Sequence, residues 1–157
     1  MHQNEHHMDD FDRKILDALQ RNSAGSRADL AQQVGLSESQ VVRRRQALEQ
    51  SGLIRRYRAD LDAKALGLTV TAFVHVKLKG HSDGNARRFR DLVRLTPGIL
   101  EAHAVTGDFD YLLKLCVADL DRLRDLVNGV LLMHQTVDRV RSEIVLEILR
   151  DDQLLVL

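Results

Sequence analysis

The stretch from Ser26 to Tyr57, SRADLAQQVGLSESQVVRRRQALEQSGLIRRY, constrains the fold more than any other part of the chain. Ser26 can cap a helix, apolar Leu30, Ala31 and Val34 follow at helical spacing, and Gly35 breaks the run. A second helix starts at once, because Ser37 caps it with Gln40 at the capping-box position, and Gly52 lies just past its end. A basic segment carrying Arg55 and Arg56 comes next and is expected to form a short strand. Helix, glycine-bearing turn, helix and basic strand, in that order, are how a small domain presents one helix to a DNA major groove.

On the second helix Val41, Arg45 and Leu48 share one face, while Ser39, Gln40, Arg43, Arg44 and Gln46 spread over the rest. Arginine reaches guanine O6 and N7 together, glutamine reaches adenine N6 and N7, and serine bonds bases or backbone. Ser37, Ser39, Gln40, Arg43 and Arg44 are therefore the candidate contacts to duplex DNA, with Arg55 and Arg56 beside them. Arg45 falls on the packing stripe, where its aliphatic stem is expected to snorkel while its guanidinium reaches a phosphate. The competing reading, a capped and solvated surface helix, is weakened by the order of the elements rather than by the charges.

Charge supports a local footprint. The formal net charge is +0, yet between Ser37 and Arg58 six arginines face only Glu38 and Glu49, a local +4. Phosphate binding through such a patch should weaken steeply with salt. Apolar residues make up 44% and charged residues 29% of 157 residues, a globular composition. No run nears the roughly 18 to 20 apolar residues needed to cross a bilayer, and MHQNEHHMDD lacks a signal-peptide apolar region, so a cytoplasmic protein with no membrane partner is expected. Cys116 is the only cysteine, which excludes an internal disulfide and suggests a buried strand thiol.

Residues 1–8, with His2, His6 and His7, read as a disordered arm. A first helix from about Asp10 to Arg21, striped by Phe11, Ile15, Leu16 and Leu19, completes a helix-turn-helix domain over 9–59, and a polar linker occupies 60–67. Beyond it, over 68–157, the pattern changes to strand and helix in alternation. TVTAFVHVKLK is a strand, and Ser82 to Thr96 a helix stopped by Pro97-Gly98. ILEAHAVT and DYLLKLCV are strands around Gly107-Asp108-Phe109. Asp119 caps a helix running to about Met133, and VDRVRSEIVLEIL is a long last strand. The order βαββαβ describes a ferredoxin-like antiparallel sheet with both helices on one face. The fold class is thus α+β, a winged helix-turn-helix followed by a ferredoxin-like domain. The uncovered face, with Thr71, Phe73, His75, Leu112 and Cys116, suggests a homodimer.

In order and in motif, the chain resembles the leucine-responsive regulator and AsnC family of transcription factors. MDDFDRKIL, ADLAQQVGLSESQVVRRRQALEQSGLIRRY and VTGDFDYLLKL carry the resemblance in register. It implies a DNA-binding N-terminal domain and a C-terminal domain that dimerises, assembles toward octamers and binds a small effector, usually an amino acid. It places the effector cleft near Thr106, Gly107, Asp108 and Asp110, with Ser142 standing where the family has a threonine. The chemistry agrees: Asp108 or Asp110 can pair with an ammonium, and N–H groups beside Gly107 can donate to a carboxylate. Neither a cofactor nor a catalytic group is expected, since no nucleophile and base stand in a recognisable context and no Gly-rich phosphate loop follows a strand. A metal-responsive regulator built on His75, His103 and His134 is the other alternative.

Overall fold

The computed structural model describes residues 8–80, 82–152 and 154–157; the arm expected over 1–8 lies, except for Met8, outside them. The chain divides into two compact units, one made of residues up to Asp60 together with Arg150–Leu157, the other of Leu61–Leu149. The last eight residues therefore group with the helices rather than with the sheet to which the sequence assigns them. The Gln20 side chain accounts for this, since its Oε1 accepts the Leu155 N–H at 2.7 Å and its Nε2 donates to the Leu155 carbonyl at 3.2 Å.

Three helices build the first unit: α1 (Asp10–Arg21), α2 (Arg27–Val34) and α3 (Glu38–Gln50). Each begins with a reciprocal capping box, formed by Asp9 with Asp12, Ser26 with Asp29, and Ser37 with Gln40. Every box satisfies two backbone donors that a helix start leaves open. Gly35 ends α2 at φ 72°, a left-handed conformation that lets α3 begin within three residues. Ile15, Leu19, Leu30, Val34, Val41 and Leu48 close the core between them. Full burial of each such side chain stabilises by about 1.5–3 kcal/mol.

The basic segment after Gly52 does not form the expected strand; no strand precedes residue 70 among the described residues. Its backbone is tied to the end of α3 instead. The Ile54 N–H donates to the Leu48 carbonyl at 3.1 Å, and Ile54 packs against the helical core. A lone extended segment without a ladder partner stays irregular.

The second unit holds β1 (Val70–Leu78), α4 (Asp83–Leu95), β2 (Ile99–Ala104), β3 (Tyr111–Val117), α5 (Leu120–Arg124) and β4 (Val137–Ile144). The sheet order is β2-β3-β1-β4, antiparallel throughout. Alternation along β1 sends Ala72, Val74, Val76 and Leu78 under the helices, where they meet Phe89 of α4, Leu113 and Leu115 of β3, and Leu126 and Leu131. Thr71, Phe73 and His75 lie on the other face opposite Cys116, Lys114 and Leu112. No helix of the described residues is long and apolar enough to cross a membrane.

Two elements differ from expectation. The helix after Asp119 is α-helical only to Arg124 and continues as a π-helical turn over Asp125–Leu131. β4 stops at Ile144 rather than Leu149, because β1 starts at Val70 and the last ladder bond runs from the Val145 N–H to the Thr71 carbonyl.

Candidate functional site

Helix α3 presents fewer open groups than its sequence promises. The Ser37 hydroxyl accepts the Gln40 N–H at 3.3 Å, while Gln40 Oε1 accepts from the Ser37 N–H and hydroxyl, both at 3.0 Å. Ser39 Oγ lies 3.1 Å from Ser37 Oγ. With its carbonyl oxygen engaged in the cap, Gln40 retains only amide donors and cannot bracket an adenine edge unless the cap opens.

The three consecutive arginines have three different fates. Arg43 is exposed, and no described carboxylate pairs with it. Arg44 turns inward: its Nη1 lies 2.8 Å from Asp9 and 2.8 Å from Asp12, whose side chain is only 2% exposed. The Phe11 ring sits 5.6 Å from its guanidinium carbon. Asp9, which accepts the Asp12 N–H and faces Arg44, is held below the usual carboxylate range, and the Asp12 carboxylate raises Arg44. Arg44, expected among the DNA contacts, here clasps α3 to α1.

Arg45 departs from expectation too. Its Nε donates to Glu49 at 3.0 Å and to the Tyr57 hydroxyl at 2.8 Å, its guanidinium stands 4.5 Å from the Tyr57 ring centre, and Tyr57 donates to Glu49 at 2.7 Å. This triangle lowers Glu49, chiefly through the tyrosine hydrogen bond, and burial raises Tyr57. Arg45 thus anchors the segment after α3 instead of reaching outward. Arg55 and Arg56 are exposed on that anchored segment. Ser39, Arg43 and Gln46 consequently form the accessible stripe of α3.

In the sheet unit, the β2–β3 loop gathers Thr106, Gly107 and Asp108 at the surface, with Gly107 at φ 107°. Asp110 is assigned elsewhere. Its carboxylate accepts the Leu78 N–H at 2.8 Å and Lys77 Nζ at 3.3 Å, while its own N–H donates to the Val76 carbonyl at 3.0 Å. It staples the loop to β1, so the residue expected at the effector cleft already has partners within the chain. Ser142 pairs with Val74 and so lies on the helix side of the sheet, exposed near the edge.

Phe109 was missed from the sequence. Its ring lies 5.3 Å from His75, and the guanidiniums of Arg139 and Arg141 stand 4.9 and 5.5 Å from its centre. The available signal was the spacing of Arg139 and Arg141, which puts both on one face of β4. The histidines do not converge: His75 faces Glu143 at 3.6 Å, His103 faces Glu101 at 3.3 Å, and His134 bonds Thr136 at 2.8 Å. No group of three possible metal ligands occurs among the described residues.

Residues 8–49 match the AsnC-type helix-turn-helix domain, and residues 71–155 match the Lrp/AsnC ligand binding domain. The chain belongs to the Lrp/AsnC family of transcriptional regulators. Its Lrp/AsnC relatives include a leucine-responsive regulatory protein of Rhizobium meliloti, 37% identical over 144 residues that span 92% of each chain. A glutamate uptake regulatory protein of Zymomonas mobilis is 40% identical over 119 residues, 74% of this chain and 73% of that one. Among solved structures, a transcriptional regulator from Neisseria meningitidis in complex with L-Met superposes with a TM-score of 0.89 at 33% identity, covering 92% of this chain and 93% of the other. The Lrp/AsnC assignment accounts for both units: a helix-turn-helix suited to duplex DNA and a sheet unit suited to a ligand.

Proposed function

We propose that this regulator reads duplex DNA through Ser39 and Arg43 on α3, with Gln46 beside them and Arg55 and Arg56 on the phosphates. Ser37 and Gln40 hold the start of α3 in shape, and Arg44 holds the helix in place. The observation that carries this reading is the exposure of Arg43 midway along a doubly capped helix whose other two arginines are tied internally. Such a side chain can bracket a guanine without breaking an internal bond, and a good bidentate pair discriminates by about 1–3 kcal/mol.

The sheet unit takes a small effector, an amino acid, at the Thr106–Gly107–Asp108 loop. Asp108 pairs with the ammonium, the loop N–H groups take the carboxylate, and Ser142 joins the cleft from a second copy. The L-Met complex of the Neisseria relative supports this class of ligand. Two copies associate through the open sheet face, where Phe73 and Leu112 need cover, and such dimers assemble further, up to octamers. Two recognition helices about 34–36 Å apart then require a partly palindromic operator.

Selection of bound duplexes from a random pool, followed by gel shifts, tests the DNA assignment. Arg43→Ala should abolish the sequence-specific shift while sedimentation shows an unchanged assembly; a specific shift that survives refutes it. Asp108→Asn should abolish the rise in melting midpoint that the effector amino acid gives, because only binding to the folded form raises it.

A further inference from the structure

The sheet unit carries a concavity away from the Asp108 loop. Between the end of β3 and the π-helical turn there is a cavity of about 590 Å³, lined mainly by Leu68, Leu100, Val117, Leu126 and Val130, with Arg122 on its rim. This volume falls in the range of about 300–1,000 Å³ typical of small-molecule sites, which are apolar with a few placed polar groups. Three features single it out.

The wall is built from an irregular element. Leu126 and Val130 sit on the π-helical turn Asp125–Leu131, and single π-turns inside helices occur frequently at functional sites. Gly98 lines it at φ 90°, a left-handed conformation that strains any other residue, and an added Cβ would come into ordinary contact with Val117 and Leu126 at 3.4 and 3.5 Å. Arg122 and Asp125 both line it, but among the described residues only the acid is paired. Asp125 is held by Arg124 at 3.2 Å, and Arg124 also meets Asp121 at 2.9 Å, whereas no described carboxylate pairs with Arg122.

An apolar trough beside one uncommitted guanidinium is complementary to an aliphatic chain ending in a carboxylate. We infer that this cavity binds an aliphatic monocarboxylate of short to medium length, with its chain against Leu100, Leu126 and Val130 and its carboxylate on Arg122. An ammonium is not required, because the neighbouring acid already has its cation. The inference stands apart from the amino-acid reading of the loop, and the two fail separately.

Thermal-shift and calorimetric titration of the full-length protein with hexanoate and isocaproate test it, with acetate, hexanol and leucine alongside. Hexanoate and isocaproate should raise the midpoint while acetate and hexanol do not. Arg122→Gln should weaken both acids about tenfold, consistent with loss of a charge-assisted bond. Val130→Trp, which fills the trough, and Leu100→Glu, a surface change that sets a like charge beside the ligand, should each abolish the response. Asp108→Asn should leave it intact.

No response to either acid overturns the inference, as does a response that Arg122→Gln and Leu100→Glu both leave unchanged. Loss in Asp108→Asn with retention in Val130→Trp would move the acid to the loop and overturn it too. So would an altered sedimentation profile for Val130→Trp without any acid response, which would show a second copy covering the trough. A response to leucine that Asp108→Asn removes, beside an acid response that it spares, supports both readings.

Discussion

Charged side chains do different work in the helical and sheet units. In the helical unit, Arg44 and Arg45 are drawn into Asp9, Asp12, Glu49 and Tyr57, and they complete packing that a core of short helices leaves unfinished. In the sheet unit, apolar residues close the core beneath the helices, and Arg139, Arg122 and their neighbours remain at the surface. A basic run can therefore be structural where the core is small and available where the core is complete. Counting arginines along a helix overstates what that helix offers to a nucleic acid.

The sharpest way to break this comparison is to cut each core separately. Leu48→Ala and Leu113→Ala both remove a side chain with 0% exposure, and each should cost about 2–5 kcal/mol. Calorimetry should show the first lowering the transition of the helical unit and the second that of the sheet unit; a common transition lowered equally by both would remove the basis for treating the units apart.

Arg44→Ala should cost about 1–3 kcal/mol of helical-unit stability by leaving the Asp12 carboxylate without its guanidinium. Arg43→Ala should change stability by no more than about 0.5 kcal/mol. DNA binding should show the opposite ranking, Arg43→Ala losing about 1–3 kcal/mol of discrimination at its base pair and a folded Arg44→Lys losing none. Equal losses for the two would return Arg44 to the interface.

Ser37→Ala, which removes the cap of α3, should cost about 1 kcal/mol in denaturant unfolding and lower DNA affinity with it. The smallest effect concerns acid. Asp9 and Glu49 are depressed in the folded chain, so the stability they add is complete above their ordinary values of 3.8 and 4.5 and drains away as the pH falls through the lower folded values. Melting midpoints in that window should fall less steeply for Asp9→Asn than for the unaltered chain. Parallel curves would mean that the Asp9 pairing makes no net contribution.

The parts legible in the sequence are those whose cause is local. Ser26, Ser37 and Asp119 cap the helices expected of them, Gly35 turns the chain, and alternation along 70–78 separates the buried face of β1 from the open one. The fates of the arginines depend on distant partners. Asp12 meets Arg44 from 32 positions away, and no spacing rule along α3 reveals it. The family resemblance places Asp110 at the effector cleft, but no local pattern reveals that its carboxylate also bonds Leu78 and Lys77, 32 and 33 positions away. The π-helical turn left no mark because, over seven residues, its apolar spacing is close to that of an α-helix. The end of β4 was hidden for a similar reason, since Val145 to Leu149 keep strand-like composition after the partner strand has run out.

The grouping of Arg150–Leu157 with the helices makes the sheet unit an insertion within the helical one. The backbone crosses between the two after Asp60 and again before Arg150, so two covalent tethers connect them. A cut just before Arg150 by limited proteolysis would therefore leave the two units sharing a single stretch of continuous backbone.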